Sequence, residues 1–454
     1  MSGRAGQPPV VGNLSAMTLR LSVLGTGYLG ATHAAAMAEL GFDVIGMDVD
    51  EEKVAALTEG RAPMYEPDLE PLLRKGVESG RLRFTTSYAE AAAADVHFLC
   101  VGTPQRKGEY AADLRYVDGV VDGLAPHLDR PTLVVGKSTV PVGTAVRLQA
   151  RLAELAPAGA GAELAWNPEF LREGFAVEDT LHPDRIVVGT DSERAEATLR
   201  EVYASMIEDG TPFLVTDFAT AELVKVSANA FLATKISFIN AMAELCEATG
   251  ADVTLLADAI GHDDRIGRKF LNAGLGFGGG CLPKDIRAFM ARAGELGVDQ
   301  ALSFLREVDA INMRRRAHVV DRARDACGGS LLGKRVGVLG ATFKPNSDDV
   351  RDSPALNVAG QIQLQGAQVT VYDPRGNDNA KKLFPTLSYA ESAVEACEGA
   401  DLVLHLTEWQ EFREMDPAVL SKVVREKVVI DGRNALDRER WREAGWVYGS
   451  LGRP

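Results

Sequence analysis

The residues best suited to covalent chemistry lie within residues 270–285, whose sequence is FLNAGLGFGGGCLPKD. The five glycines of this segment give the backbone freedom and expose amide groups to a ligand. Pro283 favours the first turn of a helix, so Cys281 is expected near the positive, N-terminal end, where a thiolate is stabilised. Asp285, four residues further on, returns to the same helix face and is placed to act as a base. We predict a nucleophilic cysteine; the alternative is a buried cysteine in a glycine-rich turn.

A second pair of polar residues, Lys225 and Asn229, lies in a long stretch that has neither proline nor internal glycine, residues 217–250. The stretch predicts one helix, with Asp217 as its N-cap and Gly250 as its end. A spacing of four puts Lys225 and Asn229 on one face, and their apolar neighbours predict burial. A buried cation and an amide can stabilise negative charge on oxygen, typically by about 3 kcal/mol per donor. The alternative is a lysine extending to solvent and an amide that packs in the helix.

A glycine fingerprint, GTGYLG, directly follows the apolar run LRLSVL and opens a helical stretch. Its three glycines allow a tight turn, a close approach of a pyrophosphate and close packing of helix on strand. Asp48 ends the next apolar run, where a carboxylate accepts hydrogen bonds from ribose hydroxyls and repels a 2′-phosphate, which favours NAD over NADP. Lys53 is placed to lie across the adenosine, although a surface role is equally compatible with its position. The predicted NAD contacts in this region are Gly25, Gly27, Tyr28, Leu29, Gly30, Asp48 and Lys53.

The elements that position these residues alternate between short apolar runs and helical stretches. The runs LRLSVLG, FDVIGMD, RLRFTT, ADVHFLCVGTP, PTLVVGKSTV and DRIVVGT predict a parallel sheet with crossover helices. Helical sequence follows, and strand-like runs return at KRVGVLG, AQVTVYDP, ADLVLHLT and KVVIDGR. We predict an α/β protein in which two parallel-sheet α/β units are joined by a long central helix. The expected parts are a tail (1–16), an NAD-binding α/β unit (17–215), a helical part (216–325) and a C-terminal α/β unit (326–454).

Composition limits the classes of function. The chain has 454 residues, 46% of them hydrophobic and 25% charged, as in an ordinary globular protein. Its formal charge of −15 argues against binding to nucleic acid or to an anionic membrane. The five cysteines are dispersed and odd in number, and the opening residues lack the apolar core of a signal peptide, so we expect a cytoplasmic protein with no metal site.

The sequence resembles the UDP-glucose 6-dehydrogenase family within the wider UDP-glucose/GDP-mannose dehydrogenase group. The resemblance extends from about residue 18 to residue 448. Its landmarks are VLGTGYLG, CVGTP, KSTVPVGT, NPEFLREG, PDRIVVG, the helix with Lys225 and Asn229, FGGGCLPKD and FKPNSDDVRDSP. The family's fold implies two Rossmann-like parallel-sheet domains joined by the long central helix and a homodimer formed through that helix. The resemblance thus implies that residues 216–325 serve dimerisation and catalysis and that residues 326–454 bind the nucleotide sugar.

The resemblance also implies a mechanism with two hydride transfers to NAD. A water held by Asp285 and Lys225 takes the proton of the sugar's C6 hydroxyl, and Cys281 attacks the resulting aldehyde. The thiohemiacetal is oxidised to a thioester, which water hydrolyses with Glu169 as the base. The resemblance implies that Lys225 and Asn229 stabilise the oxyanion and that Thr139 orders the catalytic water. It places Thr103, Thr139 and Glu173 beside the nicotinamide. It also implies that Arg351 contacts the NAD diphosphate.

For the nucleotide sugar, the resemblance implies a larger set of contacts. Cations among them would offset the overall negative charge around a diphosphate. Arg265 is expected to reach in from a neighbouring subunit. The set is Glu169, Phe170, Leu171, Arg172, Lys225, Asn229, Arg265, Phe270, Phe277, Gly278, Phe343, Lys344 and Arg433.

Several alternatives stay open at this point. UDP-glucose is the expected substrate, but TDP-glucose is compatible with the motifs, because a methyl-sized difference between the bases changes binding by only about 1 to 3 kcal/mol. The same chemistry on GDP-mannose also stays open, because GDP-mannose 6-dehydrogenase shares the positions of Cys281, Lys225 and Asn229. A single-step hydroxyacid dehydrogenase has no need of Cys281. A nucleotide-sugar sensor without activity would not need every reacting residue that the sequence retains.

Overall fold

The computed structural model describes residues 19–454, so the predicted tail at 1–16 lies outside the described residues. The described chain forms two parallel-sheet α/β units joined by a helical segment, as the sequence predicts. No helix of the described part is long and apolar enough to cross a membrane.

The first sheet has eight strands in the order β3-β2-β1-β4-β5-β6-β7-β8, and all neighbouring pairs are parallel except β6 and β7. Six of its strands confirm the predicted runs, while β6 and β8 are additional. The sequence signal of β6, AELAW, is short and rich in alanine, and β8 is an edge strand with two exposed residues. The strands are β1 Arg20–Leu24, β2 Asp43–Met47, β3 Leu82–Thr85, β4 Val96–Leu99, β5 Thr132–Gly136, β6 Ala162–Trp166, β7 Ile186–Gly189 and β8 Phe213–Thr216.

Helices cover both faces of this sheet, because its central strands are buried on both sides. One apolar core lies under α1, α3 and α8, and a second lies under α5 and α6. The helices are α1 Tyr28–Glu39, α2 Glu51–Thr58, α3 Leu69–Glu78, α4 Tyr88–Ala91, α5 Arg115–Leu124, α6 Thr144–Leu155, α7 Ala176–Leu181, α8 Glu193–Val202 and α9 Ala204–Glu208.

A single helix of 32 residues, α10 (Phe218–Thr249), leads out of the first sheet. Asp217 caps it by accepting a hydrogen bond from the amide of Thr220, and Gly250 ends it in the left-handed conformation, with φ 75°. Both ends confirm the sequence prediction. The helical segment continues with α11 Val253–Gly261, α12 Leu282–Glu295 and α13 Phe304–Ala326.

The second sheet has six parallel strands in the order β11-β10-β9-β12-β13-β14. Its four predicted strands are confirmed, and β11 and β14 are additional edge strands. The strands are β9 Arg335–Leu339, β10 Gln368–Tyr372, β11 Ser388–Tyr389, β12 Leu402–His405, β13 Val428–Asp431 and β14 Val447–Ser450. The helices are α14 Pro354–Leu364, α15 Asn377–Leu383, α16 Ala393–Ala396, α17 Gln410–Glu414, α18 Pro417–Leu420 and α19 Arg438–Glu443.

Both sheets share one feature that decides where ligands bind. In each, the strand order reverses beside the first strand, between β1 and β4 and between β9 and β12. In open parallel sheets, ligands bind at the carboxyl ends of the strands on either side of such a reversal. The fold therefore contains two ligand crevices, and α10, α12 and the glycine-rich segment before α12 lie between the two sheets in the chain.

Candidate active site

Cys281 caps the N-terminus of α12 and is exposed to solvent. Pro283 lies in the first helical turn, as the sequence predicts. The amide of Asp285 donates to the carbonyl of Cys281 at 2.9 Å, which closes that turn. Asp285 is buried. The turn thus places a buried carboxylate and an accessible thiol on the same side of one helix end.

Two residues of α10 complete this arrangement. Asn229 Nδ2 donates to Asp285 Oδ2 at 2.6 Å, and Lys225 Nζ lies 3.3 Å from Glu169 Oε1. Both α10 side chains are buried, as predicted. Burial alone would lower the pKa of Lys225, but the negative charges around it, Glu169 first among them, outweigh burial and raise that pKa. Lys225 is therefore a fixed buried cation at neutral pH.

The pKa of Cys281 differs from the sequence expectation. Loss of hydration, followed by the negative charge of Asp285, raises it to about 12, while Lys225 acts in the opposite direction. Glu169 and Glu173 add further negative charge. Cys281 lies at a helix N-terminus as predicted, but the thiolate expected there is opposed first by burial and then by the surrounding carboxylates. The thiol must lose its proton as it reacts.

Glu169 lies in the loop that follows β6, in the motif NPEF. Its Oε2 accepts from the amide of Leu171 at 2.8 Å, which leaves Oε1 directed at Lys225. The ring of Phe170 lies between two cations, 3.9 Å from the Arg185 guanidinium carbon and 5.5 Å from Lys225 Nζ. Such cation–π contacts hold the loop in a fixed position beside α10.

Thr103 and Thr139 follow β4 and β5 at the carboxyl edge of the first sheet. The Thr103 hydroxyl donates to the carbonyl of Thr139 at 2.6 Å and so ties the two loops together. A cavity of about 20 Å³ lies between Thr139 and Asp285 and is also bordered by Val226 and Phe289. That volume suits a single water molecule.

The first crevice begins at the glycine fingerprint. A Cβ on Gly30 would lie 1.8 Å from the carbonyl oxygen of Gly25, so helix and strand pack too closely for any side chain. Gly27 has no heavy atom within 4 Å of such a Cβ, which leaves open space for a ligand at the helix N-terminus. Tyr28 and Leu29 form the first turn of α1.

Asp48 closes the far side of this crevice. It accepts hydrogen bonds from the amide and hydroxyl of Thr26 at 2.8 and 3.1 Å, and Lys53 Nζ lies 2.9 Å from it. Hydrogen bonds from Lys53 and backbone amides overcome its burial and hold the pKa of Asp48 below its usual value. A charged carboxylate beside open space at a helix N-terminus fits a dinucleotide with free ribose hydroxyls.

The second crevice lies at the reversal of the second sheet. Phe343 and Lys344 follow β9, and Lys344 Nζ lies 5.7 Å from the Phe343 ring. Burial lowers the pKa of Lys344. The Arg433 guanidinium donates to the carbonyls of Leu406, Gly276 and Phe343 at 2.8 to 3.1 Å. Arg433 therefore joins this crevice to the glycine-rich segment.

That segment packs directly on the C-terminal unit. A Cβ on Gly278 would lie 2.3 Å from the carbonyl of Asp352, and one on Gly280 would lie 2.4 Å from the guanidinium carbon of Arg351. Asn312 holds Phe277 from the other side with two backbone hydrogen bonds. Gly278 is thus required by close packing against backbone, and this packing fixes the position of Cys281 between the two crevices.

Glu173 reaches across to the same part of the C-terminal unit. Arg351 Nη2 lies 3.3 Å from Glu173 Oε1, and the Ser347 hydroxyl donates to Oε2 at 3.4 Å. Burial, reinforced by the charge of Asp349, raises the pKa of Glu173 to about 7. The carboxylate therefore titrates near neutral pH at the junction of the two units.

Three predicted residues stand apart from this centre. Arg172 pairs with Asp179 and is largely exposed, and Phe270 lies in a loop with φ 67°. Arg265 pairs with Asp263 and its side chain is 89% exposed. Their contacts within the described chain do not bring them to Cys281.

Three buried charged residues support the site but are not predicted from the sequence, because their roles depend on distant contacts. Buried Lys137 donates to Asn167 Oδ1 at 2.9 Å and so supports the NPEF loop from below the sheet edge. Buried Glu66 accepts the amides of Gly174 and Ala176 and contacts the Tyr28 hydroxyl. Arg316 binds the Phe277 carbonyl and Asp352. Of the three, only Lys137 has a local sequence signal for such a role, because it is a charged residue in an otherwise apolar stretch.

No group of three or more His, Cys, Asp or Glu side chains within residues 19–454 is arranged to hold a metal ion. A dinucleotide crevice, a second ligand crevice and a cysteine flanked by a buried lysine, amide and carboxylate together define the class of NAD-dependent dehydrogenases.

Comparison with known proteins specifies the family. Models of the UDP-glucose/GDP-mannose dehydrogenase family match the chain in three parts: the NAD-binding domain at residues 19–207, the central domain at 219–314 and the UDP-binding domain at 337–438. The chain belongs to the UDP-glucose/GDP-mannose dehydrogenase family and binds NAD.

Individual relatives agree over nearly the full length. A UDP-glucose 6-dehydrogenase of Rhizobium meliloti is 43% identical over 439 residues, which cover 96% of this chain and 100% of the relative. A UDP-glucose dehydrogenase structure from Pyrobaculum islandicum superposes with a TM-score of 0.89 at 40% identity, covering 99% and 100% of the two chains. A UDP-D-ManNAc dehydrogenase from Pyrococcus horikoshii superposes with a TM-score of 0.84 at 28% identity, covering 96% and 99%.

Proposed function

We propose that this chain oxidises the C6 alcohol of UDP-glucose to the carboxylate of UDP-glucuronate through a covalent intermediate on Cys281. The observation that carries the proposal is the position of Cys281, exposed beside buried Lys225, Asn229 and Asp285. The sugar's nucleotide is expected in the second crevice, lined by Phe343 and Lys344, and its reacting carbon at Cys281. NAD supplies the hydride acceptor for each of the two oxidations.

The chain's own groups handle the protons. Asp285 and Lys225 are proposed to hold a water that accepts the proton of the C6 hydroxyl. The thiol of Cys281 then adds to the aldehyde carbon, and its proton passes to the aldehyde oxygen. Lys225 and Asn229 stabilise negative charge on that oxygen as it develops.

The second oxidation converts this thiohemiacetal to a thioester, and water cleaves the thioester to carboxylate and free thiol. Glu169 is proposed to take the water's proton, since its Oε1 lies 3.3 Å from Lys225 Nζ. In total, the alcohol, two NAD and one water give the carboxylate, two NADH and three protons. The high pKa of Cys281 means that the thiol is regenerated in its protonated form.

The test is the ratio of NADH formed to sugar consumed, measured with purified protein. UDP-glucose, TDP-glucose and GDP-mannose are run in parallel. Two NADH per UDP-glucose, with the highest kcat/KM for that substrate, are the expected result. A ratio of one would instead indicate a single-step dehydrogenase, and no turnover on any of the three would indicate a sensor.

The covalent step has its own test. Cys281→Ala is expected to abolish carboxylate formation, whereas Cys327→Ala, at a half-buried cysteine outside the site, leaves it unchanged. A normal carboxylate yield from Cys281→Ala would refute the covalent intermediate. A hydroxylamine trap adds a positive readout, because it captures a thioester as a hydroxamate only when Cys281 is present.

We further propose that two copies of the chain pair through α10. Four large apolar side chains recur along one side of this helix at intervals of seven or eight residues, and all are exposed. A contiguous exposed apolar stripe is typical of a protein interface. The stripe consists of Leu223, Phe231, Phe238 and Leu245.

The same pairing gives Arg265 a role. Lys235, which lies on the helix face of Phe231 and Phe238, donates to the carbonyls of Ile266 and Gly267. The loop that carries Arg265 is therefore anchored beside the stripe, where it would face the partner. Phe238→Glu is expected to yield monomers in light scattering, whereas Leu364→Glu, at an 87% exposed leucine, is not. A dimer that survives Phe238→Glu would exclude this interface.

A cytoplasmic location is proposed on the state of the cysteines. All five lie in the described part of the chain and are free, which suits a reducing compartment. Cell fractionation is expected to recover the protein with cytoplasmic markers, and recovery with membranes or the medium would contradict the proposal.

A further inference from the structure

Glu66 is a buried carboxylate that the chemistry above does not use. It lies before α3, in the first α/β unit, with 5% of its surface exposed. Its Oε1 accepts from the amide of Ala176 at 2.7 Å, and its Oε2 accepts from the amide of Gly174 at 2.6 Å. A buried charge is costly unless it is fully hydrogen-bonded, so these contacts are the reason it is tolerated.

The third partner of Glu66 belongs to the NAD fingerprint. The hydroxyl of Tyr28, the first residue of α1, donates to Glu66 Oε2 and itself accepts from the Gly174 amide at 2.9 Å. Glu66 thus joins two segments that are more than a hundred residues apart. One is the helix whose N-terminus faces the dinucleotide, and the other is the loop from Glu169 to Ala176.

That loop makes the contacts on which the active site depends. It carries Glu169, which pairs with Lys225, and Glu173, which contacts Arg351 of the C-terminal unit. Gly174, directly after Glu173, has φ 81° and packs on Asn346, where a Cβ would lie 2.9 Å from a backbone oxygen. The loop backbone at Gly174, whose amide Glu66 binds, is therefore packed too closely on Asn346 to shift.

Tyr65, the residue before Glu66, contacts the C-terminal unit. Tyr65 packs against the apolar core of the C-terminal unit, and the guanidinium carbon of Arg375 lies 4.3 Å from the centre of its ring. Consecutive residues thus contact the two α/β units. A shift of the C-terminal unit at Tyr65 is transmitted directly to the carboxylate of Glu66.

We propose that Glu66 is a positioning residue that sets the loop from Glu169 to Ala176 against the NAD fingerprint and, through Tyr65, registers the C-terminal unit on it. In its ionised form it accepts all three hydrogen bonds. Protonation turns one acceptor oxygen of Glu66 into a hydroxyl donor. This hydroxyl faces the amide of Gly174 or of Ala176, and the hydrogen bond from that amide is lost.

The charges around Glu66 place this event near neutral pH. Burial is the first cause that raises the pKa of Glu66 to about 7, and Asp179 of α7 acts in the same direction. The two backbone amides and Lys344 of the C-terminal unit act against it. The ionised, fully bonded state is therefore lost as the pH falls below about 7.

The experiment compares Glu66→Gln and Glu66→Leu with Glu70→Gln, a control at an exposed glutamate four residues away on α3. Glu66→Gln keeps one acceptor oxygen and removes the charge. We expect KM for NAD to rise about tenfold in Glu66→Gln and further in Glu66→Leu, and KM for UDP-glucose to rise by a smaller factor, because Tyr65 still holds the C-terminal unit. The wild-type decline of kcat/KM for NAD below pH 7 is expected to flatten in Glu66→Gln.

Amide hydrogen exchange supplies a readout independent of turnover. The amides of Gly174 and Ala176 are expected to exchange at least tenfold faster in both Glu66 variants and at the wild-type rate in Glu70→Gln. Unchanged exchange and an unchanged NAD KM in Glu66→Gln would overturn the proposal. So would an equal loss of affinity for both substrates together with a lower melting temperature, which would indicate a general packing role.

Discussion

Replacing Lys225 with methionine removes a buried charge while keeping most of the length of the side chain. Lys225 is 5% exposed, and its ammonium lies 3.3 Å from Glu169. The loss of one preorganised donor at a developing oxyanion typically costs about 3 kcal/mol, or roughly a hundredfold in rate. We therefore expect kcat for NADH formation from UDP-glucose to fall about a hundredfold or more.

A second effect of the same substitution appears at Cys281. Lys225 is the cation that lowers the thiol's pKa against burial and three carboxylates. Without it, the thiolate fraction at any given pH decreases, and alkylation slows in proportion. An opposite charge at close range changes such an equilibrium by about ten- to a thousandfold. Iodoacetamide is a suitable reagent, because Cys281 is the exposed cysteine of the described chain.

The assay measures NADH formation and the rate of carbamidomethylation at Cys281 by peptide mass spectrometry, both at pH 8. Lys225→Arg keeps the charge and is expected to retain most of the alkylation rate, although its planar group fits the oxyanion less well. Lys75→Met is the control, because Lys75 is two-thirds exposed and pairs only with Glu39 at the surface. If Lys225→Met alkylates at the wild-type rate and keeps kcat within threefold, the electrostatic reasoning is refuted.

Two further predictions concern the NAD crevice, and a third concerns Glu173 at the junction of the two units. Asp48→Asn removes the charge that repels a 2′-phosphate, so KM for NAD should rise about tenfold and turnover with NADP should become measurable in initial-rate assays. Gly27→Ala should leave the melting temperature unchanged but raise KM for NAD at least about tenfold. Gly30→Ala should instead lower the free energy of unfolding by about 1 to 3 kcal/mol or more, because its Cβ would lie 1.8 Å from the carbonyl oxygen of Gly25. The folded-state pKa of Glu173, about 7, lies above its ordinary 4.5, so the native state binds more protons between these values and wild-type stability falls as pH rises through them. Glu173→Gln lacks this loss of stability. The melting temperature of Glu173→Gln minus that of the wild type should therefore increase from pH 5 to pH 8, corresponding to at most about 3 kcal/mol in the free energy of unfolding. A difference in melting temperature that does not change with pH would contradict the raised pKa of Glu173.

The parts of the fold that the sequence predicts are those with strong local signals. Apolar runs bounded by glycine, and the uninterrupted stretch capped by Asp217 and Gly250, correspond to central strands and to α10. Edge strands such as β8 and β11 are short or half-exposed, so their signal is weak. The spacing of Lys225 and Asn229 and the position of Cys281 before Pro283 also carry local information, because one helical turn determines them.

The remaining features of the site depend on contacts that no local pattern records. The raised pKa of Cys281 reflects burial first and then carboxylates from two separate segments, the loop with Glu169 and Glu173 and the first turn of α12, whereas the sequence prediction rests only on the helix terminus. Glu66 gains its role from amides 108 and 110 positions away. Arg433 appears from the resemblance as a ligand contact, yet its guanidinium is bonded to three backbone carbonyls. Such roles emerge only when distant segments are brought together.

Both crevices lie where the strand order of a sheet reverses, and Cys281 belongs to neither sheet. In the proposed function the two crevices serve different ends of the reaction, so recognition of the nucleotide base is separated in sequence from the groups around the carbon that is oxidised. Substitutions around β9 and β12 are then expected to alter which base is accepted without altering the groups that transfer protons. The architecture is therefore open to redesign one module at a time: a new base preference can be selected in the C-terminal unit while the reacting cysteine and its support on α10 stay as they are.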